Sequence, residues 1–235
     1  MNLKYLDRAA RSLLTLNRDR EYLSLLRLLS LKPGESLLDI GSGDGFWTIR
    51  FARHCGQVVG LEPGDKPLAW ARKFHSAANV EYIGGSAETL PFPNQSFDKV
   101  VSVSCLEHFS DPEQGMREIA RVLKPGGRVA LSTDSLLNVN STEEFRSWHK
   151  TRHFVTRYFD KDTLDCIMKE SGLQPEPRRT EHLFRSRLAC RMRSIFIVHP
   201  QLLLPAFPFF YGAVRLADKW ADDAHGQIII ATASR

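Results

Sequence analysis

Apolar residues recur along this chain with two periods, and the changes of period mark its elements. At the start the spacing is helical: Leu3, Leu6, Ala10, Leu13 and Leu14 form one stripe, and Tyr22, Leu25, Leu26 and Leu29 a second. Lys32-Pro33-Gly34 ends that run, so residues 1–33 are expected to form a helical cover and 34–235 the main domain. Leu37, Leu38 and Ile40 then read as a short buried strand, and Phe46, Ile49, Phe51 and Ala52 as a helix entered at Phe46. Further strands are expected at Gln57 to Leu61, Val80 to Ile83, Asp98 to Val103, within Leu173 to Phe184, and at Ile228 to Ala231. A helix from Asp160 to Ser171, stopped by Gly172, turns Leu164, Ile167 and Met168 inward. Strands alternating with helices predict an α/β fold of the Rossmann-like kind, with helices on both faces of the sheet.

The alternation breaks at an insertion, roughly residues 185–225. Six arginines (Arg178, Arg179, Arg185, Arg187, Arg191 and Arg193) fall within sixteen residues against one acid, Glu181, and Ser194 to Val214 then contains no Asp, Glu, Lys or Arg. A bilayer crossing needs about 20 apolar residues in an unbroken helix. Pro200, Pro205 and Pro208 break such a helix, and a single crossing would separate Ile228 from Val129, two strands expected in one sheet. Three readings stay open: a Pro-kinked lid over an acceptor pocket; a hairpin docking on an anionic membrane surface through 185–216; or a dimer contact or basic pocket. In the second, Leu188, Met192, Ile195 and Phe196 form an apolar stripe flanked by Arg187 and Arg191, with Phe207, Phe209, Phe210 and Tyr211 entering the interface. Nucleic acid is disfavoured, because the arginines lack interleaved stacking aromatics.

Composition narrows the picture only a little. A chain of 235 residues with 43% apolar content and a net charge of +5 suits one domain with additions, as a monomer or homodimer. Cys55, Cys105, Cys166 and Cys190 have neither disulfide-framework nor C-x-x-C spacing, so a reducing, cytoplasmic setting is expected. Charges from Lys4 to Arg20 leave no h-region for a signal peptide.

The candidate chemistry begins in SLLDIGSGDGFW, residues 36–47, where glycines stand at every second position after a strand. Gly41, Gly43 and Gly45 remove the Cβ atoms that would keep a ligand from the backbone. The dinucleotide fingerprint is G-x-G-x-x-G, whereas this chain has G-S-G-D-G-F, and Asp44 would repel a pyrophosphate. A ligand carrying an ammonium or sulfonium fits better. Glu62, twenty-one positions after Gly41, ends the second strand and can accept from ribose hydroxyls.

Beyond Glu62 the chain carries AETLPF with FD five residues on, LEH followed by DP, and RVLKPGG before a strand. With LLDIGSGDG, these segments resemble the class I S-adenosylmethionine-dependent methyltransferases, in particular the ubiquinone/menaquinone biosynthesis and small-molecule branch, over Ser36 to Thr133. That resemblance implies a seven-stranded mixed sheet whose last strand runs antiparallel beside the fifth, and S-adenosyl-L-methionine as cofactor. It implies Asp39, Gly41, Ser42 and Gly43 at the methionine end, Glu62 with Pro63 at the ribose, Ser86, Ala87 and Glu88 at the adenine, and Ser104 beneath the methionine moiety. Ser86 departs from the Asp of many relatives, and its hydroxyl accepts without charge assistance.

Methyl transfer is an in-line displacement that needs the acceptor atom held about 3 Å from the methyl group in a dry pocket, with no metal or covalent nucleophile. Where the acceptor is a hydroxyl or an acidic carbon, a base is required; His108 in LEH is the first candidate and His153 the second. His149 and His153 share i,i+4 spacing, but no nearby carboxylate pattern suggests a metal. SCLEHF stands where related enzymes that grip a planar amino group have an Asn-Pro-Pro-Tyr type motif. A small-molecule or lipid-like acceptor methylated on oxygen or carbon is therefore expected. An NAD(P)-dependent oxidoreductase and a non-catalytic cofactor-binding module are the alternatives.

Overall fold

Eight strands form a single mixed sheet in the computed structural model, which describes residues 18–137, 141–198, 207–221 and 226–235. In chain order the elements are α1 (Arg18–Leu29), β1 (Ser36–Ile40), α2 (Thr48–Phe51), β2 (Gln57–Glu62), α3 (Asp65–Phe74), β3 (Val80–Gly84), β4 (Phe97–Val103) and α4 (Pro112–Val122). Then follow β5 (Leu123–Asp134), α5 (Glu143–His153), α6 (Lys161–Glu170), β6 (Gln174–Pro175), β7 (Glu181–Leu183), α7 (Arg187–Val198), α8 (Phe207–Lys219) and β8 (Ile228–Ser234). The strands lie in the order β3-β2-β1-β4-β5-β8-β6, with β7 also on β8. All pairs from β3 to β5 are parallel, and β8 runs antiparallel to β5. The strand order reverses between β1 and β4, the place where open α/β sheets leave a crevice at the carboxyl ends of their strands.

The central strands bury both faces, so neighbouring apolar residues serve opposite layers. Leu38, Ile40, Val100, Leu131 and Ile229 meet Met116 and Ile119 of α4 and Leu164 and Ile167 of α6. Leu37, Val101, Ala130, Ile228 and Ile230 meet Leu25 and Leu29 of α1, Ala189 and Cys190 of α7, and Val214 of α8. The stripe of Tyr22, Leu25, Leu26 and Leu29 is α1, as its spacing predicts; the stripe from Leu3 to Leu14 lies outside the described residues.

Three expectations change. The helix expected from Phe46 is only the single turn α2, because Phe46 and Trp47 are drawn into an aromatic cluster: Trp47 stacks on Tyr22 at 5.2 Å, and the Arg50 guanidinium covers the Phe46 ring at 3.6 Å. The expected sixth strand is two short pieces, β6 and β7, interrupted by the turn at Pro177–Arg179, so eight strands replace seven. In the insertion, Met192 and Arg193 point inward and are buried, whereas Leu188 and Ile195 are exposed; the side chains of Phe196 and Phe207 lie outside the described residues. No helix of the described residues is long and apolar enough to cross a membrane.

Candidate functional site

The pairing of β1 with β2 matches Asp39 to Gly60 and Ile40 to Leu61, so the turn that leaves β1 emerges beside Glu62. The amides of Gly41 and Ser42 both donate to Leu61 O, which folds the turn back over the end of β2. Gly41 has φ +74°, and a Cβ there would collide with Sγ of Cys105; Gly43 has φ +56° and opens onto free space. Both need the conformational freedom of glycine, and between them they leave bare backbone facing the crevice.

Glu62 is held by two amides: Gly43 N–H donates to Oε2 (3.0 Å) and Gly64 N–H to Oε1 (2.9 Å). Its remaining lone pairs are free to accept from a ligand. Asp39 is buried and takes the Thr48 hydroxyl at 2.6 Å. Burial pushes its carboxyl up to about 7, against the help of Thr48, and the nearby Glu62 adds to the rise. Ser42 Oγ is buried without a hydrogen-bond partner in the protein. Buried polar atoms are seldom left so, and the hydroxyl keeps its full capacity to bond a ligand.

Cys105, against the glycine turn, senses Glu107, Glu62, Asp39 and Glu88, and burial together with these acids keeps its thiol protonated. Four acidic side chains thus border Cys105 and the glycine turn, a setting that opposes a pyrophosphate. Ser86 donates to the Glu88 carboxylate, which also takes the amides of Ser110 (2.8 Å) and Asp111 (3.4 Å). Burial would raise the Glu88 carboxyl, but these hydrogen bonds outweigh it and hold the group below its usual range. Ala87 is buried beneath this pair.

Ser104 takes an uncommon positive φ of +47° at the end of β4, and its hydroxyl donates to Oε1 of Glu21 (2.6 Å). Glu21 is a fully buried acid in the first turn of α1, which lies at the carboxyl end of β4, while Leu28 O near the other end of α1 accepts from Arg128 of β5. Nothing in its sequence setting distinguishes it from an ordinary first-turn acid, so only the fold reveals it.

A second buried polar group lies across β5. Thr133 Oγ1 donates to Glu107 Oε2 (2.9 Å) and Asp134 N–H to Glu107 Oε1 (3.3 Å). Burial, and then the neighbouring Asp134, push the Glu107 carboxyl up. Arg193 of α7 donates to Asp134 Oδ1 (2.6 Å), and His149 Nε2 stands 3.4 Å from Asp134 Oδ2. The other ring nitrogen of His149, Nδ1, is 3.0 Å from the Tyr158 hydroxyl. Burial drops His149 to about 4, partly offset by Asp134, so its imidazole is neutral at pH 7. Burial, reinforced by Asp134, lifts Tyr158 to about 12.

The two histidines expected from sequence sit at the edge of this group. His108, in the turn Leu106–His108, is exposed with Nδ1 3.3 Å from Phe154 O, while its neighbour Glu107 points inward. His153 is exposed on α5, its ring 4.5 Å from that of His149. The i,i+4 spacing signalled that they are neighbours, but the inward turn belongs to His149. Pro63 is exposed beside Glu62.

A parallel sheet with an antiparallel last strand, a glycine turn facing an anchored acid and a crevice bordered by acidic side chains define a nucleoside-cofactor site of the methyltransferase type. A methyltransferase-domain family profile matches residues 38–131, the stretch that builds this crevice. The biotin biosynthesis bifunctional protein BioHC of Cellvibrio japonicus is 35% identical over 157 residues, covering 65% of this chain and 30% of that protein. The ubiquinone/menaquinone biosynthesis C-methyltransferase UbiE of Vibrio campbellii is 31% identical over 170 residues, covering 61% of this chain and 66% of that protein. The match therefore spans under a third of the first relative and just under two thirds of the second. Among solved structures, phosphoethanolamine N-methyltransferase 2 of Haemonchus contortus, in complex with S-adenosyl-L-methionine, shares the fold with a TM-score of 0.70 at 23% identity, over 92% of this chain and 52% of that one. The profile match over residues 38–131, these relatives and the shared fold support a class I S-adenosylmethionine-dependent methyltransferase, with S-adenosyl-L-methionine as the cofactor.

Proposed function

We propose that this protein moves the methyl group of S-adenosylmethionine to a carbon or oxygen atom of a small, lipid-like acceptor held over the carboxyl ends of β4 and β5. The acidic side chains bordering the glycine turn carry this reading, since they oppose the pyrophosphate of a dinucleotide. UbiE, named as a C-methyltransferase of quinone biosynthesis, supports the acceptor class.

When bound, the cofactor supplies an electrophilic methyl group on sulfur; everything else falls to the chain. Asp39, Gly41, Ser42 and Gly43 would hold its methionine end, Asp39 through its carboxyl group and Ser42 through its unpartnered hydroxyl. Glu62, with Pro63 beside it, would take the ribose hydroxyls, Ser86, Ala87 and Glu88 the adenine, and Ser104 would support the methionine moiety from below. For the proton that an oxygen or carbon acceptor must lose, Asp134, His149 and Tyr158 are better arranged than His108 or His153. His149 bridges the group, with Nε2 facing the Asp134 carboxylate and Nδ1 the Tyr158 hydroxyl, which itself donates to Arg146 O (3.2 Å).

The test is incubation of the protein with a methyl-labelled donor and an apolar metabolite extract, read by mass spectrometry, beside calorimetric titrations with S-adenosylhomocysteine and NADH. Binding of S-adenosylhomocysteine and a labelled apolar product are expected. Binding of NADH without S-adenosylhomocysteine would refute the cofactor assignment, and label appearing only in polar amines would refute the acceptor class.

A further inference from the structure

The outer layer of the insertion is unusual for a surface that folding has finished with. Of the ten large apolar side chains exposed among the described residues, six belong to α7, α8 or the residue after α8. Leu188, Ile195 and Val198 mark the outer face of α7; Phe209 (73% exposed), Leu216 and Trp220 (80% exposed) mark that of α8. The positions 188, 195 and 198, and 209, 216 and 220, repeat at helical spacing, so each set is one stripe. Both helices already bury their opposite sides, through Ala189, Cys190, Met192 and Val214, in the same core beneath. These stripes are therefore surplus to the fold.

The charges around them have one sign. Arg187 and Arg191 are exposed on α7, and Arg215 and Lys219 on α8. Between Arg187 and Ala221 the only acid is Asp218, and it is buried, paired with Arg20 (2.9 Å) and accepting from the amides of Phe184 (2.9 Å) and Arg185 (2.8 Å). The next acids, Asp222 and Asp223, follow Trp220 in the sequence. An apolar stripe bordered by exposed cations, with Trp at its end, is the makeup of a helix that lies in a lipid interface. At 12 and 13 residues the two helices are well short of the ~20 needed to span a bilayer. A second copy of the chain is a poor occupant, because apposing two such faces would set their cations against each other with no exposed acid on either helix to pair them.

We infer that the outer face of α7 and α8 docks on an anionic lipid surface. The residues differ from the sequence-based stripe: Met192 faces the core, Phe210 is half-buried, and Tyr211 is held by Asp19 and Arg215. The surface also bears on the crevice, since Arg193 reaches from the inner side of α7 to Asp134. The inference does not depend on methyl transfer.

It is tested by flotation of the full chain with vesicles of phosphatidylcholine alone and of phosphatidylcholine with phosphatidylglycerol, beside light scattering of the lipid-free protein. Recovery with the anionic vesicles is expected, falling roughly thirtyfold in partition for Arg191→Ala with Arg215→Ala, at about 1 kcal/mol per basic residue near the surface. Leu216→Glu with Phe209→Glu should abolish recovery while leaving S-adenosylhomocysteine binding unchanged, which keeps the crevice and the surface separately readable. Absence from both lipid fractions would overturn the inference. So would equal recovery of the wild type and the double alanine variant, or a lipid-free dimer that the glutamate variant turns into a monomer.

Discussion

Replacing Asp39 with asparagine should stabilise the ligand-free protein and weaken its hold on the cofactor. Asp39 ends β1 inside the sheet, where burial lifts its carboxyl from an ordinary 3.8 to about 7. Below 3.8 the group is protonated both folded and unfolded, and its full contribution to stability is present. Between 3.8 and about 7 the folded chain holds a proton that the unfolded chain has released, so stability falls as pH rises through that window. Above it the penalty is complete, at most about 4 kcal/mol at 1.36 kcal/mol for each tenfold change in proton affinity. Asparagine keeps an acceptor for the Thr48 hydroxyl, now at 2.6 Å, and removes the charge. Its amide brings donors that need partners, which takes back about 1 kcal/mol or more, leaving a net gain of about 1 to 3 kcal/mol near pH 8 and little near pH 4. Urea unfolding of both proteins at the two pH values measures the gain, and calorimetry with S-adenosylhomocysteine measures the loss of affinity. An Asp39→Asn protein no more stable than the wild type at the higher pH, or equally stabilised at both, would refute the buried-charge argument.

Three further outcomes follow from the same contacts. Glu62→Ala frees the amides of Gly43 and Gly64 and removes the acceptor for two hydroxyls, so cofactor affinity should drop by about 2 to 4 kcal/mol in a calorimetric titration. Gly41→Ala sets a methyl against the Cys105 thiol at a positive φ; most of its stability loss should be relieved in a Cys105→Ala background, leaving about 1 to 2 kcal/mol of backbone strain by thermal unfolding. Arg193→Met leaves Asp134 buried without its guanidinium and should cost about 3 to 5 kcal/mol, with protease cutting first within α7.

Local pattern carried much of the geometry around the glycine turn. The turn after β1 and the acid that ends β2 are legible because parallel strands of fixed rise bring their ends together, so sequence spacing becomes proximity. The AETLPF segment was legible in the same way, although its pairing of Ser86 with Glu88 was not. Helix α2 was overestimated because periodicity counts apolar residues and is blind to the stacking of Trp47 on Tyr22, a contact across 25 residues. The polar group on the other side of β5 had no local signature at all. Glu107, Asp134, His149 and Arg193 come from four separate elements, and His108 and His153 stood out only because histidine is conspicuous in a sequence while an inward-facing Glu or Asp is not.

By itself, then, the sequence determined the alternation of strands and helices, the glycine turn with its anchored acid, and the family these imply, since each depends on residues close along the chain or on the register of adjacent strands. The tertiary structure decided which acids are buried, that Glu21 reaches Ser104, that Arg193 of the arginine-rich run turns inward to Asp134, and which apolar side chains of α7 and α8 remain in solvent. Those outcomes depend on how helices rotate as they pack against the sheet, a choice that distant residues make together.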